Sequence, residues 1–325
     1  MFKLNIVPEN TNVNFVGARR IAYPLSILLV LASIAAFAVQ GLNFGIDFRG
    51  GILIEVKTQG PADVEQLRSD IGGLGLGEVQ IQEFGEPDDV LIRVQQQDGE
   101  EDEQIQAIET IKNALGDQVV EYRRTEFVGP TVGAELIESA IWAVTLAIGA
   151  ILIYIWLRFE WQFGVGAVIA LTHDVITTIG LFAVTQLEFN LATVAAILTI
   201  AGYSINDTVV IYDRVREELR RYKKMDMSAL LNLAANRTLS RTFMTSVTTL
   251  IALIALAIFG GSIIRDFSIA MIWGVVVGTY SSVFVAVPIL MVLKLSREAL
   301  SAGLDEEDGE TDGADASEDG SESRS

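Results

Sequence analysis

Three ionisable residues interrupt otherwise apolar stretches. They are Asp174 in Leu171-Thr172-His173-Asp174, Asp207 in Gly202-Tyr203-Ser204-Ile205-Asn206-Asp207-Thr208, and Arg241 in Leu239-Ser240-Arg241-Thr242. A charge on a helix embedded in lipid is costly and is kept mainly where ions, protons or substrates move. Burial disfavours a carboxylate, whereas a nearby guanidinium favours it. An aspartate held between those influences can bind and release a proton as its surroundings change. Moving one charge through the membrane potential is worth about 2.3 kcal/mol per 100 mV, enough to bias a conformational equilibrium. Proton transfer, with Asp207 and Arg241 at its centre and Asp174 in support, is the chemistry these residues can do.

Their neighbours are polar. Tyr203 and Ser204 precede Asp207 by four and three positions and share its helix face, and Asn206 adjoins it. Thr245, Thr248 and Thr249 follow Arg241 by four, seven and eight, making a hydroxyl stripe that can hold a water chain. Such hydroxyls also serve interhelical hydrogen bonding in membrane bundles. His173 is the one histidine; it cannot build a zinc site alone and reads as a structural polar group. Gly274 and Gly278 form a small-xxx-small pair suited to close helix packing.

The elements that must position these groups are membrane spans. Half the chain is hydrophobic, and runs near the 20 residues needed to cross a bilayer fall at 21–39, 137–157, 163–184, 191–212, 242–259 and 267–293. The first run also has features of a cleaved signal, with Arg19–Arg20 before it and Ala36-Phe37-Ala38 near its end, but it is too long for a signal core. Lys3, Arg19, Arg20, Arg158, the basic loop 213–240, Lys294 and Arg297 all fall on one side, which the positive-inside rule makes cytoplasmic. The expected organisation is a cytoplasmic N-terminus (1–20), span one, an external periplasmic domain (40–136), spans two to six (137–293) and a cytoplasmic tail (294–325). Both termini are expected in the cytoplasm and the chain in a cell inner membrane.

Helical rise sets the depth of the charges. Asp207 is about 17 residues from the outer end of its span, roughly 26 Å deep, and Arg241 is about 18 residues from its own, roughly 27 Å. The two stand at one level on consecutive antiparallel helices. Asp174 is about 11 residues, roughly 16 Å, from the inner end of its span. That difference opposes an aspartyl protease, whose two carboxylates must share a proton at close range, and the Gly-x-Gly-Asp form is absent.

The formal net charge of -19 is segregated. Residues 40–136 carry 20 acids against 7 bases, and residues 301–325 carry 10 acids against one base. Such a balance argues against a nucleic-acid partner. The acidic, nearly apolar-free tail has the composition of a disordered segment. With no cysteine there is no disulfide framework or thiolate metal site. There is no phosphate-binding glycine loop and no nucleophilic serine elbow, so neither an enzyme nor a cofactor is expected. Within 40–136, strand patterns at 52–56, 79–84, 90–94 and 119–127 alternate with helix patterns at 61–71 and 103–115, the second with Ile105, Ile108, Ile111 and Leu115 on one face. The order is βαββαβ, that of a ferredoxin-like α+β domain.

Five ordered motifs carry a family resemblance: Phe44-Gly45-Ile46-Asp47-Phe48-Arg49-Gly50-Gly51, Val128-Gly129-Pro130-Thr131-Val132-Gly133, Gly202 to Val210 with Asp213-Arg214-Val215-Arg216-Glu217, Thr238 to Thr242 with Thr245-Ser246, and Gly278-Thr279-Tyr280-Ser281-Ser282. From the first span to the sixth the chain resembles the SecD/SecF family of protein-export proteins, in the resistance-nodulation-division superfamily. The resemblance implies pairing with SecD into a twelve-helix unit and contact with the SecYEG channel and YajC. It also implies external domains that pull a translocating unfolded polypeptide, with the proton-motive force as energy source. The family's membrane Asp and Arg map onto Asp207 and Arg241. A half-unit of a proton-coupled small-molecule exporter of the same superfamily is the alternative.

Overall fold

The computed structural model describes residues 11–295 apart from Phe84, Asp98 and Glu100. Lys3, Arg297 and the acidic residues of the tail lie outside the described residues. The first span is helix α1 (Phe15–Gln40), which starts where the Asn14 side chain accepts a 2.7 Å hydrogen bond from the Gly17 N–H. It ends at Gly41, whose φ of +67° suits glycine. A short strand β1 (Asn43–Phe44) and a helical turn α2 (Ile46–Arg49) follow. Gly50 and Gly51 then take φ of +71° and +111°, and a Cβ on Gly51 would come 2.6 Å from the Val94 carbonyl. Only glycine lets the chain turn here from the membrane edge into a sheet.

The external domain runs β2 (Gly51–Thr58), α3 (Val64–Gly72), β3 (Val79–Glu83), β4 (Asp89–Val94), α4 (Glu101–Leu115) and β5 (Val119–Val128). The sheet order is β3-β4-β2-β5, and every pair is antiparallel. This is the ferredoxin-like arrangement expected from the βαββαβ pattern. Ile52, Ile54 and Val56 face the two helices, meeting Leu67, Ile71, Ile108, Ile111 and Leu115. Leu53 points to the opposite face with Ile46 and Leu91, so β2 is apolar on both sides, as a central strand covered on both faces must be. Ile105 departs from the expected helix face and is 42% exposed. Its place is taken by Gln104, which is in phase with Ile108, Ile111 and Leu115 and whose amide bonds the Gln97 backbone at both N–H and C=O.

Five further helical stretches complete the bundle: α5 (Pro130–Arg158), α6 (Trp161–Thr185), α7 (Leu191–Arg221), α8 (Met227–Phe259) and α9 (Gly261–Ser281), the last continuing through a π-helical segment (Ser282–Ala286) into α10 (Val287–Val292). With α1 they make six helices long and apolar enough to cross a membrane, and the chain is a multi-pass membrane protein. Strand β6 (Glu188–Phe189), between α6 and α7, pairs in parallel with β1. Helices α6, α7 and α9 are the most buried, whereas α1, α5 and α8 lie on the flanks.

The basic segment 213–240 is not a free loop. Helix α7 continues to Arg221 and α8 begins at Met227. Apolarity stops at the expected span end, but helical hydrogen bonding does not. Arg214 pairs one turn on with Glu218 at 2.8 Å, Arg237 also bonds the fully buried Glu218, and Asp226 caps α8 by accepting from the Ser228 and Ala229 N–H groups.

Candidate functional site

A polar seam runs through the bundle where α6, α7, α8 and α9 meet. Asp174 is fully buried on α6. One of its oxygens, Oδ2, accepts from Ser204 Oγ of α7 at 2.5 Å and from Ser281 Oγ of α9 at 2.7 Å. The other, Oδ1, lies 2.9 Å from Nδ1 of His173. Beside it, Thr208 and Ser282 share a 2.9 Å hydroxyl contact. Gly278 permits this crowding: a Cβ there would lie 3.3 Å from the Ser204 Cβ and 3.6 Å from Asp174 Oδ2. Gly274, one turn earlier, is closed against Ile200 of α7 at 2.3 Å from a built Cβ. The Gly274–Gly278 pair is thus a packing seam of α9 on α7, as its spacing predicts.

Asp207 occupies a separate part of the seam, one helical turn beyond Ser204. It is 8% exposed, and its Oδ1 accepts a 2.6 Å hydrogen bond from Thr242 Oγ1 of α8. Its Oδ2 is buried without a partner among the described residues. A hydrogen bond to a charged group contributes about 1.5–3 kcal/mol, and an unmet buried polar atom costs about 1–3 kcal/mol. Asp174 is therefore well solvated by its donors, whereas Asp207 is left with an open acceptor. Nearby, Ser246 of α8 contacts Thr279 of α9 at 2.7 Å and accepts from Tyr203 at 3.3 Å.

The structure brings some of the expected residues together and separates others. Asp207 and Arg241 stand at one level, since Thr242, the next residue, bonds Asp207. They form no ion pair among the described residues. Arg241, Thr245 and Thr248 are exposed on the outward face of α8, and the two threonines bond carbonyls of their own helix. The hydroxyls that reach the carboxylates are Thr242, Ser204 and Ser281, so the stripe expected beside Asp207 is displaced by one position on α8. Asn206 is exposed on α7. Asp174 and Asp207 have separate donors and make no carboxylate dyad. The sequence pattern does not mark Thr242, Ser246, Ser281 and Ser282 as site residues, although all sit in span motifs. Their signal was hydroxyls recurring inside apolar runs, which does not say which way each one points.

Fold and site together define a class: a six-helix membrane unit with buried carboxylates in its bundle and a ferredoxin-like domain outside it. Comparison with known proteins narrows the class. The family described as protein export membrane protein SecD/SecF, C-terminal, matches residues 107–296, and the SecD/SecF GG motif matches residues 35–62. The protein translocase subunit SecF of Rickettsia bellii is 46% identical over 295 residues, covering 90% of this chain and 97% of that one. The SecF of Cereibacter sphaeroides is 46% identical over 304 residues, covering 91% and 94%. A crystal structure of SecDF from Thermus, described as a translocon-associated membrane protein, superposes with a TM-score of 0.80 at 34% identity. The match covers 89% of this chain and 40% of the longer SecDF chain. The chain belongs to the SecD/SecF family, among the SecF subunits of the protein translocase.

Proposed function

We propose that this chain works as the SecF half of a proton-driven export unit. It pairs with SecD and uses the proton-motive force to complete polypeptide translocation across the inner membrane. One observation carries the reading: a buried, under-bonded Asp207 lies one residue pair away from an open polar helix face. Gly202 and Asn206 of α7 and Arg241, Thr245 and Thr248 of α8 are exposed on this subunit. Polar groups facing lipid are expensive, so a second subunit is the natural cover, and SecD is the partner the SecDF likeness favours. A conformational change that swings Arg241 or SecD groups toward Asp207 would alter its proton occupancy. In this reading the external domain faces the periplasm and meets the unfolded substrate, and both termini are cytoplasmic. SecYEG and YajC complete the assembly, and no cofactor or catalytic residue is required. The small-molecule exporter alternative is not favoured, because the relatives at 46% identity are protein translocase subunits.

The test replaces Asp207 with Asn, which keeps the shape but cannot titrate, in cells depleted of the native subunit. Export of a secreted substrate is followed with and without the proton-motive force. The expected result is export at the depleted level while the variant still inserts and pairs with SecD. Normal potential-dependent export would leave Asp207 a packing role only.

A further inference from the structure

Helix α6 places the chain's one histidine directly against a fully buried carboxylate. His173 is 5% exposed and Asp174 is fully buried, and Nδ1 of the ring meets Asp174 Oδ1 at 2.9 Å. The opposite ring nitrogen, Nε2, is buried without a hydrogen-bond partner among the described residues. His173 lines a largely apolar 430 Å³ cavity between α1, α6 and the helical segment after α9, with Tyr23, Ser26 and Thr172 among aliphatic side chains. The hydroxyl of Tyr23 is likewise unpartnered. Among the described residues no lysine or arginine pairs with Asp174, so nothing but the imidazole can balance its charge.

We propose that His173 and Asp174 form a second proton-binding site, more fully buried than Asp207 and gated by the hydroxyls of Ser204 and Ser281. This deepens the proton-driven reading above. The balance is simple. Unloaded, the pair is a neutral imidazole giving its Nδ1–H to a carboxylate, with net charge −1. Loading adds one proton at the lone pair of Nε2, and the pair becomes neutral overall, as imidazolium and carboxylate or, after a shift along the Nδ1–Oδ1 hydrogen bond, as imidazole and carboxylic acid. Unloading returns that proton to water. The loaded pair carries no net charge, and an isolated buried charge is costly. Three groups surround the Asp174 carboxylate as donors: His173 Nδ1, Ser204 Oγ and Ser281 Oγ.

Two of those donors come from other helices, Ser204 from α7 and Ser281 from α9. Sliding α7 or α9 removes donors and tips the pair toward the loaded state, so proton occupancy reports helix position. Ser204 lies one turn before Asp207 on α7, which links the two sites mechanically. Among the described residues, the other titratable groups around the pair are Tyr23 on α1, Tyr203 and Asp207 on α7, and Tyr280 on α9, whose ring centroid is 6.1 Å from that of His173. Histidine is the side-chain type whose ordinary titration range falls between about pH 5 and 8.

Because the chain has one histidine, labelling it with ¹⁵N-histidine reports on His173 alone. The complex is reconstituted into bilayers with its SecD partner, only this chain labelled and no histidine tag used. Solid-state ¹⁵N resonances are then followed between about pH 5 and 8. The expected result is conversion of Nε2 from a bare to a protonated nitrogen within that range, with a midpoint that moves in Asp174→Asn. A ring that keeps one protonation state throughout, or titrates identically in Asp174→Asn, overturns the proposal. A transport arm uses His173→Asn, whose amide can still donate to Asp174 but cannot titrate. It is expected to lose the proton-motive-force-dependent part of export, and normal export would overturn the site's role. The two readings fail separately. Loss in Asp207→Asn with a silent, dispensable His173 removes only this second site. Normal export in Asp207→Asn with a titrating, required His173 removes only the role given to Asp207.

Discussion

At the scale of single residues, hydrogen-bond supply distinguishes the two carboxylates. Among the described residues, Asp174 has three donors around it and Asp207 has one. Thr242 is that one donor, and Thr242→Val removes its hydroxyl while nearly conserving its shape. A hydrogen bond to a charged group at the low end, about 1.5–2 kcal/mol, corresponds to roughly thirteen- to thirty-fold in rate or occupancy. We expect the proton-driven component of export to fall by about that factor in Thr242→Val, measured as substrate release with and without an ionophore. An unchanged rate would mean the hydroxyl only fills space. Thr245→Val, whose hydroxyl bonds carbonyls of its own helix, should have much the smaller effect. Asp207 and Arg241 were legible as functional candidates because ionisable groups inside apolar runs are rare. Thr242 was not, because threonines are ordinary in membrane helices and only the facing helix shows which one donates.

At the scale of elements, the contact of α9 on α7 sets the distance between donor and acceptor. Gly274 is the point of closest approach, where any side chain would strike Ile200. Overpacking of this kind typically costs about 1–3 kcal/mol. Gly274→Val should lower the melting temperature of the purified protein and weaken export, and Ile200→Ala in the same chain should restore part of both. No recovery in the double variant would show that the damage arises elsewhere. The π-helical segment after α9 belongs to the same device. Its wider turn lets Ser282 meet Thr208, and the Ala286 carbonyl accepts from Tyr212 at 3.0 Å. It ends just before Pro288, which has no N–H to continue the ladder. The sequence showed an apolar span here; the change of helical pitch depends on partners in α7.

At the scale of the whole molecule, the external domain is tied to the bundle at the start of the helix that carries Asp207. Strand β1 pairs with β6, and the Asp47 carboxylate accepts from the Leu191 N–H at the first turn of α7 at 2.9 Å. Arg93 of β4 bonds Glu188 of β6 at 2.6 Å and Asn43 of β1 at 3.3 Å. Phe44, Phe48, Phe182 and Phe189 pack edge-on around the joint. Movement of the domain therefore loads directly onto α7. Arg93→Gln and Glu188→Gln, singly and together, form a double-mutant cycle. Their coupling in thermal stability should fall at about 0.5–3 kcal/mol, the range for contacting residues, and each single variant should pair with SecD yet export poorly under the proton-motive force. Additive effects, or normal export from both, would mean the joint does not transmit force.

Much of this protein is determined locally. Long apolar runs dictate six helices because a bilayer leaves no other way to satisfy the backbone. Alternation dictates the strands of the external domain, and two glycines dictate the turn into it. The charges Asp174, Asp207 and Arg241 are conspicuous for the same reason, since their cost in lipid is a property of residue and span alone. What the tertiary structure decided is which way each polar group faces. Helical phase relative to neighbouring helices turned Arg241, Asn206, Thr245 and Thr248 outward and Thr242, Ser204 and Ser281 inward. It also set His173 against a carboxylate with its far nitrogen unmet among the described residues, and joined β1 to β6, with Asn43 paired to Glu188 145 residues further along the chain. Two-residue strands carry no periodicity to read, and a hydroxyl's partner lies on another helix. Both belong to packing, which the order of residues encodes only through the whole fold.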